Sequence, residues 1–303
     1  MTAPLTKSKS FSLVDLIGQA ELRRIVALSI EEDLGSGDLT SSMAVPPGAH
    51  VTATLLAKGA GRLAGLELFR EAFLVCDSNA EVTLFHADGE TVAAGDRVAK
   101  VSGDGRAVLI AERTALNFLQ QLSGVATLTA AYVEQAAGRA RILDTRKTIP
   151  LLRALQKYAV VCGGGSNHRF GLYDEAMIKD NHLDLSGLDL ESLTREVRER
   201  LGNEIPITSE ARNRAEAMGA IRGGADVVLL DNMSVEQMTA LVPELREVAR
   251  AAGRKVELEA SGGLTLADVE AVSKTGVDRI SVGALTHSAK VLDLSLLVEV
   301  GGQ

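Results

Sequence analysis

The sequence predicts an α/β protein with a small β-rich segment followed by a barrel of alternating strands and helices. Three observations support this fold class. Aromatic residues make up only 3% of the chain, Trp is absent and Gly occurs 29 times, so the core must be aliphatic and the turns numerous. Residues 49 to 108 carry short β runs separated by turns. From Arg141 onward, short β runs alternate with helical patterns.

Composition and charge limit the classes of function that fit. The 303 residues are 46% hydrophobic and 24% charged, as in an ordinary globular protein of one large or two medium domains. The formal net charge of −8 disfavours nucleic acid as a partner and requires a local cluster of Arg and Lys for any bound anion. Met1–Gln19 lacks the apolar core of a signal peptide, and no run reaches the roughly 18 apolar residues of a membrane span, so we expect a cytoplasmic protein. Cys76 and Cys162 lie outside any metal-ligand spacing, which disfavours a zinc site or a disulfide scaffold.

The first half of the chain is predicted to contain two helical segments with a small β-rich region between them. Apolar residues at helical spacing predict a helix over Leu13–Asp33, broken near Gly18. Turns separate the following β runs, which are Val51–Ala57, Glu81–His86 and Arg97–Ser102. Their pattern resembles a barrel-sandwich hybrid of the biotinyl-carrier kind, but no exposed Met-Lys-Met turn follows, so a carrier role is a weak alternative. The apolar stretch Ala107–Ala137 predicts helix, and Ser123-Gly124 predicts a bend that divides it into two.

The second half of the chain repeats a strand followed by a helix. The β runs are Ile142–Asp144, Ala176–Lys179, Ile205–Thr208, Val227–Leu230, Val256–Leu258 and Arg279–Val282. The helical patterns are Leu190–Arg200, Ala211–Arg222, Ser234–Ala252 and Thr265–Thr275. This alternation implies a parallel sheet with crossover helices, and the short units favour a closed or nearly closed barrel over a flat sheet. In a barrel, the C-terminal ends of all strands share the face that holds the active site.

Basic residues gather near two of these strand ends. The cluster consists of Arg146, Lys147, His168, Arg169 and Lys179, with Arg113 of the preceding helix as a further candidate. Cations packed together repel unless an anion neutralises them, so the cluster predicts a ligand with several negative charges. The alternative is that each is a surface salt-bridge partner, which is as plausible for any one residue but less so for the whole set.

Acidic residues follow the later strands. Glu210 and Asp231 come after successive strands, where they could hold Mg²⁺ or stabilise a developing cation. Glu259 could add a third carboxylate. The alternative for each of them is a helix N-cap.

Glycine loops close the last two strands. Ser261-Gly262-Gly263 and Gly283-Ala284 predict phosphate sites, because glycine lets backbone N–H groups approach an anion and a helix is predicted to follow each loop. His287, just after the second loop, could donate to the same phosphate.

Several motifs along the chain resemble those of one enzyme family. The most specific are Asp144-Thr145-Arg146-Lys147-Thr148, Lys157-Tyr158-Ala159-Val160, Gly163-Gly164-Gly165-Ser166-Asn167-His168-Arg169 and Ile178-Lys179-Asp180-Asn181-His182. Others are Glu32–Asp38, Glu112–Asn117, Leu230–Met233 and Val282–His287. Together they span nearly the whole chain. They closely resemble the quinolinate phosphoribosyltransferases, also called nicotinate-nucleotide pyrophosphorylases (carboxylating), of the type II phosphoribosyltransferase family.

The resemblance implies a fold and an activity. The fold would be an N-terminal α/β sandwich domain at residues 1–125, completed by about 289–303, and an incomplete TIM-like α/β barrel domain at residues 126–288. The activity would be transfer of the phosphoribosyl group of phosphoribosyl pyrophosphate to quinolinate, with Mg²⁺ as cofactor. Decarboxylation would then give nicotinate mononucleotide, pyrophosphate and CO₂, in de novo NAD biosynthesis. A homodimer is also implied, in which Arg113 reaches the partner's site.

The resemblance also implies a role for each matching residue. The quinolinate binders would be Arg113, Arg146, His168, Arg169 and Lys179. The phosphate and ribose binders would be Lys147, Glu210, Asp231, Ser261, Gly262, Gly263, Gly283, Ala284 and His287. Glu210 and Asp231 would hold the metal, and the catalytic residues would be Lys147, Lys179, Glu210 and Asp231. The chain departs from the family at Thr208-Ser209-Glu210, where the family usually has Glu-Val-Glu, so the first carboxylate is absent and metal binding is in question.

Three alternatives remain at this point. A related type II phosphoribosyltransferase, such as a nicotinate-specific one or a molybdenum-associated homologue, would share the scaffold, but a monocarboxylate acceptor needs fewer cations. A barrel lyase would use Lys179 as a Schiff base, which requires an uncharged amine in a site crowded with cations. A non-catalytic binding protein would have no need for acids beside the phosphate loops.

Overall fold

The computed structural model describes residues 12–300, which form two compact units. The antiparallel-sheet unit comprises residues 12–130, 149–164 and 289–300, and the parallel-sheet unit comprises residues 131–148 and 165–288. The predicted sandwich domain also includes residues 1–11 and 301–303, which lie outside the described residues. Within the described chain, none of the helices is both long and apolar enough to cross a membrane.

The antiparallel-sheet unit combines a small sheet with helices, which confirms the predicted α/β character of this part. Its strands are β1 (His50–Ala57), β2 (Gly61–Arg62), β3 (Glu81–Leu84), β4 (Thr91–Val92), β5 (Arg97–Asp104) and β12 (Leu294–Val300). The main sheet has the order β12-β1-β5-β3, and β2 pairs with β4. Since β12 runs antiparallel to β1, with Leu297 opposite Thr54, the end of the described chain completes this sheet.

The helices that begin in this unit are α1 (Leu13–Ile17), α2 (Gln19–Leu34), α3 (Leu39–Ala44), α4 (Leu66–Cys76), α5 (Gly105–Ala136) and α6 (Arg153–Cys162). The predicted break near Gly18 is confirmed, because α1 ends and α2 begins on either side of this residue, which has a φ of 80°. On α2, Leu22, Val26 and Ile30 recur every four residues and are buried, which is the spacing of an amphipathic helix.

The predicted division of the long helix near Ser123-Gly124 is wrong, since α5 is one helix of 32 residues. Gly124 is required for close packing rather than for a bend. A Cβ atom on Gly124 would lie 2.2 Å from the carbonyl oxygen of Lys290, so only glycine lets that segment approach the helix. The Ser123 hydroxyl accepts a hydrogen bond from the N–H of Ala64 at 3.0 Å and therefore also serves packing.

The parallel-sheet unit alternates strands with helices. The strands are β6 (Arg141–Leu143), β7 (Ala176–Ile178), β8 (Ile207–Ala211), β9 (Val227–Asp231), β10 (Glu257–Ser261) and β11 (Arg279–Ser281). The helices are α7 (Asp180–Ser186), α8 (Leu190–Leu201), α9 (Arg214–Gly223), α10 (Val235–Ala251), α11 (Val269–Lys274) and α12 (Ala284–His287). All six strands are parallel, in the order β6-β11-β10-β9-β8-β7. Between residues 12 and 300 no ladder joins β6 to β7, so the sheet is open, which confirms the prediction of an incomplete barrel.

Several boundaries in this unit differ from the predicted ones, and contacts explain two of them. β8 continues to Ala211 instead of ending at Thr208, because Ser209 is buried with its hydroxyl 3.0 Å from that of Thr194 and so does not end the strand. α11 begins at Val269 instead of Thr265. The Asp268 carboxylate accepts the N–H of Thr265 at 2.8 Å, which holds the intervening residues in a turn.

Candidate active site

The parallel-sheet unit contains a cavity of about 840 Å³ at the C-terminal ends of its strands. Thirteen of the fourteen predicted site residues line it. They are Arg146, Lys147, His168, Arg169, Lys179, Glu210, Asp231, Ser261, Gly262, Gly263, Gly283, Ala284 and His287. The parallel topology therefore brings residues that are far apart in the sequence into one place.

The remaining predicted site residue, Arg113, lies in the antiparallel-sheet unit, on α5. Its side chain is 60% exposed and lies 4.0 Å from the carboxylate of its neighbour Glu112. An exposed cation at that distance from an acid gains little from it. The role of Arg113 in a partner subunit's site stays a prediction.

The surroundings of Arg169, one of the basic residues of the cavity, disfavour its positive charge. Arg169 is buried, and its guanidinium donates to the carbonyl oxygen of Glu175 at 3.1 Å. Burial lowers the pKa of Arg169, and the charge of Arg146 lowers it further. An anion bound beside these guanidinium groups would stabilise both of them, so the arrangement favours a ligand such as a carboxylate.

Lys179 follows β7 and faces Glu210 on the neighbouring strand β8. Its Nζ atom lies 2.7 Å from Oε2 of Glu210. The Lys179 side chain is 42% exposed and that of Glu210 is 11% exposed, so a ligand can reach the lysine. The Lys179 amine is therefore engaged by a carboxylate, whereas a Schiff-base lysine requires an amine free to attack a carbonyl.

Two carboxylates project into the cavity from adjacent strands. Asp231 ends β9, and Glu210 stands opposite Leu229, two residues before Asp231. No group of three or more His, Cys, Asp or Glu in the described part of the chain is arranged to hold a metal ion. The pair nevertheless fits Mg²⁺, because Mg²⁺ in phosphate-using sites takes one or two carboxylates and completes its shell with water and substrate phosphates.

Close contacts require glycine at Gly262 and leave little space for a side chain at Gly283. A Cβ atom on Gly262, where φ is 114°, would lie 2.2 Å from Oδ1 of Asn232. A Cβ atom on Gly283 would lie 3.1 Å from both Nε2 of His287 and Cδ of Lys147, so these two side chains close over its backbone. The helix predicted just after Gly263 begins only at Val269. An anion at the first loop would therefore meet the N–H groups of the loop rather than those of a helix N-terminus.

Glu259 lies in β10 opposite Leu229, in the same row of the sheet as Glu210. Unlike Glu210, it is fully buried, and its Oε2 accepts a hydrogen bond from Nε of Arg279 at 2.5 Å. Burial acts to raise the pKa of Glu259, but the facing His168 and the charge of Arg279 outweigh it and lower the pKa to about 2. The sequence position of Glu259 suggests a third carboxylate for the metal. In the structure it is instead the buried partner of Arg279.

One nitrogen of the His168 ring accepts a hydrogen bond, and the other faces a buried carboxylate. Nδ1 accepts the N–H of Arg169 at 2.7 Å, and Nε2 lies 3.5 Å from Oε1 of Glu259. The hydrogen bond at Nδ1 turns Nε2 toward Glu259. Glu259 thereby helps to orient both His168 and the backbone of Arg169.

Thr208, where the family usually has Glu, is fully buried, and its hydroxyl donates to a carboxylate oxygen of Glu175. Glu175 immediately precedes β7, and its carboxylate also lies 4.0 Å from the guanidinium of Arg279. A carboxylate therefore does lie beside position 208, but it belongs to Glu175, in the segment before the neighbouring strand β7.

The sequence assigns no role to Arg279 or Asn232, although Asn232 is among the polar residues that follow the predicted strands. Arg279 begins a strand predicted from its apolar residues, and its partner Glu259 is known only from the register of β10 and β11. Asn232 has a φ of 54°, a left-handed conformation that Asn adopts more readily than most residues. An Asn directly after an aspartate at a strand end is the one signal in the sequence that could point to it.

Comparison with known proteins shows the family to which the chain belongs. Residues 38–123 match the family described as quinolinate phosphoribosyl transferase, N-terminal domain, and residues 125–297 match the corresponding C-terminal domain family. A Bacillus subtilis protein named probable nicotinate-nucleotide pyrophosphorylase (carboxylating) is 39% identical over 284 residues, covering 93% of this chain and 95% of its own length. An Arabidopsis thaliana protein with the same name, marked chloroplastic, is 38% identical over 291 residues, covering 92% of this chain and 83% of its own length. The solved nicotinate-nucleotide pyrophosphorylase from Francisella tularensis superposes with a TM-score of 0.83 at 39% identity, covering 92% of this chain and 96% of that one.

Proposed function

The chain belongs to the quinolinate phosphoribosyltransferase family, and we propose that it transfers the phosphoribosyl group of phosphoribosyl pyrophosphate to quinolinate. The products are nicotinate mononucleotide, pyrophosphate and CO₂, as in de novo NAD biosynthesis. One observation carries the proposal: a single cavity gathers a basic cluster, two carboxylates and two glycine loops. A dianionic acceptor and a polyanionic donor require this combination.

The acceptor side consists of Arg146, His168, Arg169 and Lys179. Their positive charges and hydrogen-bond donors bind the two carboxylates of quinolinate and hold its ring nitrogen toward the ribose. This binding accelerates the reaction mainly through positioning, because a nitrogen held in place attacks without the entropy cost of a bimolecular encounter. The lowered pKa of Arg169 supports this assignment, since burial and then the charge of Arg146 lower it, and a bound carboxylate would stabilise the charge against both. A monocarboxylate acceptor would leave part of the cluster unneutralised.

The donor side consists of the glycine loops and the acidic pair. Lys147 and His287 bind phosphate oxygens together with the N–H groups of Ser261, Gly262, Gly263, Gly283 and Ala284. Glu210 and Asp231 would hold Mg²⁺, which when bound would supply positive charge to offset that of the pyrophosphate leaving group. The same two carboxylates stabilise the positive charge that develops on the ribose carbon as its bond to pyrophosphate breaks.

Decarboxylation follows from the new bond. Once the pyridine nitrogen is bonded to ribose it is quaternary, so the ring is positively charged. When the adjacent carboxylate leaves as CO₂, the ring carbon keeps the electron pair, which the neighbouring positive nitrogen stabilises, and a proton then takes the vacated position.

A homodimer completes the site in this proposal, with Arg113 of each subunit entering the cavity of its partner. The exposure of the Arg113 side chain supports this. Mixing two inactive variants, Arg113→Ala and Glu210→Gln, should restore roughly a quarter of wild-type activity, because half of the dimers are mixed and each has one intact site. Activity that stays absent in a mixture shown to exchange subunits would exclude the shared site.

The direct test combines purified protein, quinolinate, phosphoribosyl pyrophosphate and Mg²⁺ and measures CO₂ and nicotinate mononucleotide. Product should require both substrates and disappear when the metal is chelated. A folded protein that binds both substrates but forms no product would refute the proposal. Glu210→Gln distinguishes an enzyme from a binding protein, since an enzyme should lose turnover and keep its affinity for quinolinate.

A further inference from the structure

Asn232 connects the two parts of the donor side that come from different strands. It follows Asp231 at the end of β9, lines the cavity, and has a φ of 54°. A left-handed residue other than glycine is uncommon and is strained unless its surroundings fix it. The contacts of Asn232 show what fixes it.

Three contacts hold Asn232 between Asp231 and the first glycine loop. Its backbone N–H donates to the carbonyl oxygen of Ser261 at 2.9 Å. Its side-chain Nδ2 donates to Oδ2 of Asp231 at 2.8 Å. Its side-chain Oδ1 lies 2.2 Å from the place that a Cβ atom on Gly262 would occupy, and its own backbone nitrogen lies 2.9 Å from that place.

We propose that Asn232 is a positioning residue of the donor side, which fixes the Asp231 carboxylate and the Ser261–Gly262 backbone in one arrangement. The inference rests on the proposed function, because it assigns both groups to phosphoribosyl pyrophosphate. With one oxygen of Asp231 tied to the amide, the carboxylate cannot rotate freely. The absence of a side chain at Gly262 lets the amide lie against the loop whose N–H groups bind phosphate.

The competing explanation is that Asn232 only forms a turn. The variant Asn232→Gly separates the two, because glycine adopts a positive φ at no cost but has no amide. A turn residue would be replaced by glycine without effect. A positioning residue would lose donor affinity.

The experiment compares Asn232→Gly, Asn232→Asp and wild type by steady-state kinetics and by calorimetry with phosphoribosyl pyrophosphate and Mg²⁺ alone. In Asn232→Gly we expect the KM and Kd for the donor to rise about tenfold, as for loss of one hydrogen bond to a charged group. The KM for quinolinate should change by less than about twofold. Asn232→Asp tolerates the same φ but sets a second carboxylate beside Asp231, so its donor affinity should fall further.

Asn213→Gly is the matched control. Asn213 is also a loop Asn, its Oδ1 accepts the N–H of Glu216 at 3.0 Å, and it is not among the residues that line the cavity. Its replacement should lower the melting temperature without changing either KM. Donor affinity unchanged in Asn232→Gly, or both KM values rising together, would overturn the inference. Wild type that binds the donor but releases no CO₂ would refute the proposed function, and the calorimetric comparison would still decide the role of Asn232.

Discussion

Glu210 and Glu259 occupy one row of the parallel sheet, each opposite Leu229 on the strand between them, yet their surroundings differ. Glu210 is paired with the half-exposed Lys179, so a ligand can compete for either partner. Glu259 is fully buried and paired with Arg279, whose side chain is only 10% exposed. Breaking the second pair would leave a charge away from water. The exposure of the cationic partner therefore decides whether a carboxylate in this row serves the site or the fold.

Replacing Glu259 with Gln is expected to have the largest effect on stability. The amide cannot neutralise Arg279, which keeps only longer contacts with Glu257 at 3.5 Å and Glu175 at 4.0 Å. A buried charge that loses its close partner costs up to roughly 3–5 kcal/mol. Urea unfolding at neutral pH measures the loss. Glu259→Gln combined with Arg279→Gln removes both charges and should recover much of the stability. A single variant within about 1 kcal/mol of wild type would contradict the assignment of Glu259 to the fold.

Acid should remove the same contribution from the wild type. The pKa of Glu259 is about 2 in the folded protein, against an ordinary value of 4.5. Because the folded pKa is the lower one, the stabilisation is fully present above pH 4.5 and is lost as the pH falls toward 2, an effect on the order of 3 kcal/mol. The difference in unfolding free energy between wild type and Glu259→Gln should be constant near neutral pH and shrink in that acid range. If the difference is undiminished at about pH 3, Glu259 is not the group whose protonation removes this stability.

Glu210→Gln should show the opposite pattern, with a large loss of turnover and little loss of stability. Removing a group that stabilises charge in the transition state lowers kcat on the order of 10²-fold. The lost ion pair with the half-exposed Lys179 should cost no more than about 1 kcal/mol. Both quantities can be measured on the same samples, with Glu270→Gln as the control, since it breaks an exposed pair with Lys274. A Glu210→Gln protein as unstable as Glu259→Gln would remove the contrast between the two carboxylates.

The sequence predicts the parallel sheet, its functional end and the basic and acidic residues that meet there, because strand and helix alternation and short motifs are local features. The alternation favours a closed or nearly closed barrel, and only the family resemblance implies an incomplete one. It does not separate Glu210 from Glu259, since each follows residues of a short strand. The separation depends on which cation stands beside each of them, and Arg279 is placed next to Glu259 only by strand register. The continuity of α5 depends in the same way on a distant residue, because the role of Gly124 is visible only when Lys290 lies against it.

Thr208→Val is expected to have the smallest effect, and it tests whether two neighbouring positions of β8 have different roles. Thr208 and Glu210 lie on the same strand, but the Thr208 hydroxyl donates to Glu175, and Thr208 is not among the residues that line the cavity. Valine keeps the shape and leaves a buried carboxylate oxygen without that donor, which should cost about 1–2 kcal/mol in urea unfolding. Turnover should stay within about twofold of wild type, because no donor-binding group is removed. Thr194→Val, which removes the buried hydroxyl 3.0 Å from Ser209, is the control for losing such a bond elsewhere on β8. A fall in kcat for Thr208→Val comparable to that of Glu210→Gln would mean that position 208, with Glu175, acts on the donor as the missing carboxylate would have done.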